Sequence, residues 1–247
     1  MELKFFNKKI KFNTHIRDSI ELFLANSSFS KIIAKRNRSI IFTRAITRKI
    51  IDRYDGSKYH QINYATGNLG YGLIHYAFLL VIKPKRILCV GSRMGYIPAI
   101  CALACQENNK GFVDFVDAGY DQDNPNHWGG NGFWKKVDPN KHFSFLDVNQ
   151  YLKTYVMTSE TFANKYKHQY DYIYIDADHS YKGVKNDFRL FWSKLRKNGF
   201  MVFHDITVKK EEGVPPFGVW KFWKEIKNKN KISFNYPISG LGILQKS

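Results

Sequence analysis

From Arg86 onward the chain alternates short apolar runs with helical stretches, and no other feature of the sequence constrains the fold as tightly. ILCV (87–90) leads into the glycine turn Gly91-Ser92-Arg93-Met94-Gly95 and then into YIPAICALACQE, which reads as strand, tight loop and helix. FVDFVD (112–117) is a second strand ending in an acid, a weaker strand lies around Tyr155 to Met157, and YDYIYI (170–175) opens into DADHSY. An amphipathic helix from about Lys182 to Leu195 follows, then LRKNG as its stop at Gly199, then a strand, FMVFHD. GVWKFWKEIK reads as a helix, and ISFNY with GLGILQK as a closing antiparallel pair. Strands that alternate with helices imply an α/β chain built on a doubly wound sheet.

Ahead of this unit, residues 1 to 60 read as a helical, basic segment, because Ile32, Ile33, Ile40, Ile41, Ala45, Ile46, Ile50 and Ile51 recur near the 3.6-residue period. Residues 1–65 carry 14 Lys+Arg against 5 Asp+Glu, or +9, within a total of 39 minus 21, or +18. A positive field of that size favours anionic partners: nucleic acid, an acidic or nucleotide-linked precursor, or an anionic membrane face. Solubility alone is the plain alternative. The longest apolar stretch, Leu69 to Ile82, contains His75 and falls short of the roughly 20 residues a bilayer span needs, so no transmembrane segment is expected. MELKFFNKKIKFNTH has no continuous apolar run of the kind a secretory signal carries, and the cytoplasm is the expected compartment. Cys89, Cys101 and Cys105 form neither a disulfide framework nor a zinc spacing, and read as small core hydrophobes.

In an open α/β sheet a ligand sits at the carboxyl ends of the strands, which makes the Gly91–Gly95 turn the first place to look. The turn is neither GxGxxG nor a phosphate-binding P-loop, since no Gly-Lys-Ser/Thr follows. Asp117, at the end of the second strand, stands where an acid can accept hydrogen bonds from ribose hydroxyls, whereas Asp114 points to the opposite face by alternation. The most specific cluster is Asp176, Asp178 and His179 after one strand with His204 and Asp205 after the next. Carboxylates gathered so closely repel one another, and a divalent cation is the usual remedy. A solvated surface cluster is the plain alternative.

ILCVGSRMGY, VDFVDA, YDYIYIDADHSYKGVKNDF, LRKNGFMVFHD and GVWKFWKEIK together resemble the class I S-adenosylmethionine-dependent methyltransferases over roughly residues 65 to 245. Within that class the likeness is to metal-dependent O-methyltransferases of the catechol and caffeoyl-CoA type, and particularly to the sugar- and antibiotic-tailoring enzymes related to macrocin O-methyltransferase and cephalosporin hydroxylase-like proteins. The resemblance implies a Rossmann-like, doubly wound, seven-stranded and mostly parallel sheet with an antiparallel last strand. That sheet would occupy residues 65–247, with residues 1–64 as a basic helical appendage. It further implies that Gly91, Ser92 and Gly95 hold the methionine end of S-adenosylmethionine, that Asp117 holds its ribose, and that Asp178 lies on the adenosine side. Asp176, His204 and Asp205 fall where metal-dependent members place three protein ligands, and His179 where they keep a general base. Two positions depart from the pattern. Cys89 replaces the acid many members carry on the first strand, and His204 stands where relatives have Asp or Glu, so the donor set suits manganese, iron or zinc as well as magnesium.

The implied reaction is O-methylation of a hydroxyl on a sugar, a glycan or a specialised metabolite. The expected partners are that small-molecule or glycan acceptor, anionic or nucleotide-linked species among them, and a second copy of the chain in a homo-oligomer. Trp128 and Trp134, in the long loop from Tyr120 to His142, suit either a sugar ring or an apolar lid over the cofactor. An RNA or DNA methyltransferase is the rival that the charge suggests, but DADH occupies the place of an Asn/Asp-Pro-Pro-aromatic turn. The non-enzymatic alternative is a degenerate member serving as a binding protein, with Cys89 as its best support.

Overall fold

Short runs that are apolar on both faces, such as ILCV, find partners for both faces only in the middle of a sheet covered by helices on either side. A computed structural model of the chain, which describes residues 3–5, 8–10, 42–120, 132–210 and 216–247, shows that arrangement. Strands β3 (Ile87–Val90), β4 (Val113–Asp117), β5 (Leu152–Val156), β6 (Tyr170–Ile175), β7 (Leu195–Phe203), β8 (Lys231–Asn235) and β9 (Gly240–Gln245) form one sheet in the order β5-β4-β3-β6-β7-β9-β8. The first five are parallel, and β9 runs antiparallel to both of its neighbours.

Alternation along each strand divides the core in two. Cys89, Phe115, Tyr172, Tyr174 and Val202 face helices α1 (Arg44–Tyr54), α2 (Tyr71–Ile82) and α3 (Tyr96–Glu107). Leu88, Val90, Ile173, Ile175 and Met201 face α6 (Ser159–Lys165), α7 (Tyr181–Trp192) and α8 (Val219–Glu225). Side chains start several of these helices: Thr43 accepts from the Ile46 N–H, Thr158 from that of Thr161, and Ser180 from that of Gly183. Within the sheet the fully buried Asp114 accepts from Arg86 Nε (2.7 Å) and Nη2 (3.0 Å) and from the hydroxyls of Tyr155 and Tyr170. Cys89, Cys101 and Cys105 are all buried and unbridged.

Four expectations need correction. Residues Leu3–Phe5 (β1) and Lys8–Ile10 (β2) pair as antiparallel strands rather than helix, while 11–41, which hold Ile32, Ile33, Ile40 and Ile41, lie outside the described residues. The helix α7 stops at Trp192, and LRKNG opens β7. The Lys194 N–H turns back to Phe191 and its carbonyl accepts from Tyr170, so Leu195 already pairs with Tyr170 across the sheet. The strand expected around Tyr155 to Met157 begins earlier, at Leu152. The loop after Tyr120 contains two short helices, α4 (Phe133–Lys136) and α5 (Pro139–Phe143), the second begun by Asp138 with proline at its first turn. Among the described residues no helix is long and apolar enough to cross a membrane.

Candidate active site

Chain order reverses between β3 and β6, and there the strands' carboxyl ends open a cavity of about 690 Å³. Gly91, Ser92, Asp117, Asp176, Asp178, His179, His204 and Asp205 all line it. Gly91 has φ +74°, and a Cβ there would stand 2.2 Å from the Asp176 carbonyl oxygen, so only glycine lets the two strand ends come this close. Gly95 lies one turn further on, against the ring of Phe143, and is not part of the lining. Ser92 Oγ accepts from the Ile97 N–H and steadies the start of α3. Trp134 is buried, stacks on Phe143 and donates from Nε1 to the Arg93 carbonyl at 2.6 Å, so it braces the glycine turn from beneath; Trp128 lies outside the described residues.

Asp117 Oδ1 accepts from the Gly119 N–H at 2.8 Å, yet burial pushes the carboxyl up to about 6. Further donors at this rim, such as ribose hydroxyls, would relieve that cost. Asp178 Oδ1 accepts from the Ser180 N–H at 2.8 Å and so also shapes the entry to α7. Cys89 is not in the lining; it points into the core, its sulfur 4.0 Å from that of Cys101.

Between β6 and β7 the titratable groups converge. Asp176 Oδ1 lies 3.2 Å from His204 Nδ1 and 3.3 Å from His179 Nε2, Asp205 Oδ1 lies 3.3 Å from His204 Nδ1, and Asp205 Oδ2 lies 3.2 Å from His179 Nδ1. Tyr174 donates to the other Asp176 oxygen at 2.9 Å. Asp205 holds the left-handed backbone conformation, φ 57°, which Asp tolerates better than most residues and which turns its carboxyl back over the strand end.

His204 Nε2 meets the Tyr59 carbonyl oxygen at 3.1 Å. A carbonyl can only accept, so Nε2 carries hydrogen, and Nδ1 then faces two carboxylate oxygens. Positive charge must sit there, as a proton on Nδ1 or as a cation shared with the carboxylates. Burial alone would keep His204 neutral, but Asp205 and Asp176 outweigh it and lift its pKa well above the ordinary histidine value. Burial would likewise raise Asp176, yet His204 and His179 hold it well below the usual carboxylate range. Carboxylates from both strand ends beside imidazoles are donor types that a divalent cation takes, although His204 is outside the group of described residues spaced to share one ion. That group is Asp176, His179 and Asp205, each able to offer one atom within 4.8 Å of the others.

Several lining residues had no clear signal in the sequence. His60 stacks on His204, ring centroids 4.9 Å apart, and burial lowers its pKa to about 3, which keeps it a neutral imidazole. Its place depends on the path of the chain after α1, which no local pattern records. Asp187 did leave a trace. It shares the buried stripe of α7 with Val184 and Phe191, an acid where the helical period calls for an apolar side chain. Burial, against a hydrogen bond with Ser159, pushes its carboxyl up to about 7.

The sheet order, with β9 antiparallel between β7 and β8, and the glycine-turn cavity at the switch point are those of the Rossmann-like methyltransferase fold. Residues 88–206, from β3 to just beyond the acid cluster, match the family model described as a methyltransferase domain. The fold is similar to that of an O-methyltransferase from Bacillus cereus solved in complex with SAH, with a TM-score of 0.56 and 10% identity over 92% of this chain and 97% of that one. It is also similar to the O-methyltransferase TomG from Streptomyces achromogenes, involved in tomaymycin synthesis and solved with SAM, with a TM-score of 0.54 and 10% identity over 96% and 100% of the two chains. In sequence it is 26% identical over 184 residues to the uncharacterized protein y4gI of Sinorhizobium fredii. That match takes in 72% of this chain but spans only 18% of the length of y4gI.

Proposed function

We propose that the chain transfers the methyl group of S-adenosylmethionine to a hydroxyl oxygen of a sugar, a glycan or a specialised metabolite, with His179 as general base. The observation that carries this reading is the position of His179: within 3.3 Å of two carboxylates, in the lining of the cavity that the glycine turn also borders. Methyl transfer from a sulfonium is an in-line displacement, in which the acceptor oxygen forms a bond to the methyl carbon as the carbon–sulfur bond breaks. The acceptor must be held in line at near-contact distance and must lose its proton. His179 takes that proton, and Asp176 and Asp205 stabilise the imidazolium that results.

Gly91 and Ser92 hold the methionine end of the cofactor, with Gly95 behind them turning the chain into α3, Asp117 receives the ribose hydroxyls, and Asp178 borders the adenosine. Asp176, His204 and Asp205 would hold a divalent cation, manganese, iron or zinc as readily as magnesium. Such a cation supplies Lewis-acid polarisation of the acceptor oxygen. Asp55, Tyr59 and His60, from the basic segment of residues 1–64, border the same cavity and form the acceptor's side of it, with Phe217 against the His179 ring.

Calorimetry and turnover on one variant test the assignment of the base. His179→Ala should bind S-adenosylmethionine as the parent does while turnover falls by about 10²–10⁴-fold, the span of general-base catalysis. Undiminished turnover would remove His179 from that role.

A further inference from the structure

A second hollow, of about 410 Å³, opens at the amino ends of the strands, the end of the sheet opposite the proposed methyl-transfer cavity. Three turns form it: 82–85 before β3, Lys110 before β4, and 196–200 at the start of β7. Among the described residues five cationic side chains line it, and Asp171 is the one acid. Asp171 is already committed. It accepts from the backbone N–H groups of Lys85 (2.7 Å) and Arg86 (2.9 Å) and pairs with Arg196 at 2.8 Å, which ties the first turn to the third. Arg196 is neutralised by that pair, whereas Lys83, Lys85, Lys110 and Lys197 have no ion-pair partner among the described residues.

The backbone holds these like charges together at some cost. Lys83 and Asn198 adopt the left-handed conformation, φ 45° and 63°. At Gly111, φ +101°, a Cβ would come within 2.7 Å of the Pro84 carbonyl oxygen, so glycine is what lets the Lys110 turn close against the Lys83–Lys85 turn. Ile82, Pro84 and Phe200 supply an apolar wall beside the charges. Four unneutralised ammonium groups around one concavity call for a compact ligand with several negative charges, and a single carboxylate would leave most of them unmatched.

We infer that this hollow binds a small soluble ligand bearing two or more linked phosphates. The inference stands on the second cavity alone and does not depend on the methyl-transfer reading.

Titration of the full chain with inorganic pyrophosphate tests it, with Lys85→Glu/Lys197→Glu set against the equal charge change Lys182→Glu/Lys229→Glu, which lies outside the hollow. The parent should show one saturable site per chain, weakened about tenfold or more in the first pair, as expected for lost charge-assisted contacts, and within about twofold of the parent in the second. Thermal unfolding and S-adenosylmethionine binding, measured on each protein, separate loss of the site from loss of the fold. Absence of saturable binding, or equal weakening by both pairs, would overturn the inference and leave only the general positive field. Binding that appears with an RNA oligonucleotide and not with pyrophosphate would overturn it too, assigning the face to nucleic acid.

Discussion

His204 and His179 contact the same two carboxylates with different freedom. His204 is buried, with its far nitrogen occupied by a carbonyl, whereas His179 stands at the cavity edge with one carboxylate beside each ring nitrogen. Burial would lower the pKa of His179, but the hydrogen bond to Asp176 and the charges of Asp205 and Asp176 outweigh it and raise it above 6.5. A base must be neutral to act, so turnover should climb with pH along a limb centred above 6.5; a flat profile from pH 6 to 9 would contradict the role. Asp187 provides a stability test. Its folded pKa is raised from 3.8 to about 7, so the stability it contributes is full below about pH 4 and is lost as pH rises toward 7. Asp187→Asn keeps the shape and cannot titrate. Relative to the parent it should gain about 2–3 kcal/mol between pH 5 and pH 8 in urea unfolding. Asp176, His179 and Asp205 were legible in the sequence because each directly follows a strand that reads clearly on its own. His60 was not, because it reaches the cavity from a turn placed only by tertiary packing.

Elements were legible wherever burial set a period. ILCV, YDYIYI and the helix after Gly95 stand where the apolar pattern puts them. The pattern failed at LRKNG, where a polar stretch with a glycine resembles a helix stop but is the irregular first turn of β7, held by Asn198 donating to the Lys246 carbonyl near the end of the chain. That contact joins neighbouring strands that are far apart in the sequence, and nothing local encodes it. On the other side of the reversal, Asp114 was legible only as pointing to the face opposite Asp117. The structure adds that it fixes β3, β4, β5 and β6 through Arg86, Tyr155 and Tyr170. Arg86→Met leaves that carboxylate buried without its cation, so chemical denaturation should show a loss of about 3–5 kcal/mol, the range for a broken buried pair. A loss below about 1 kcal/mol would mean that the two tyrosines suffice.

At the scale of the whole molecule the charge and the sheet serve different ends. The doubly wound core brings two strand ends together on one side of the reversal, and that juxtaposition assembles the acid and imidazole cluster in the cavity that the glycine turn borders. The fold class followed from alternation alone, whereas the acceptor did not, because specificity in such a sheet resides in the appended segments around the cavity mouth. The most direct measurement is methyl transfer itself. The full chain, supplied with isotopically labelled S-adenosylmethionine and a cell extract, is followed by mass spectrometry of the labelled products. Label should appear on a hydroxyl oxygen of a sugar-containing or specialised small molecule, and both His179→Ala and exhaustive chelation should reduce it sharply. Label carried instead on nucleic-acid bases, or no label above a protein-free control, would contradict the account.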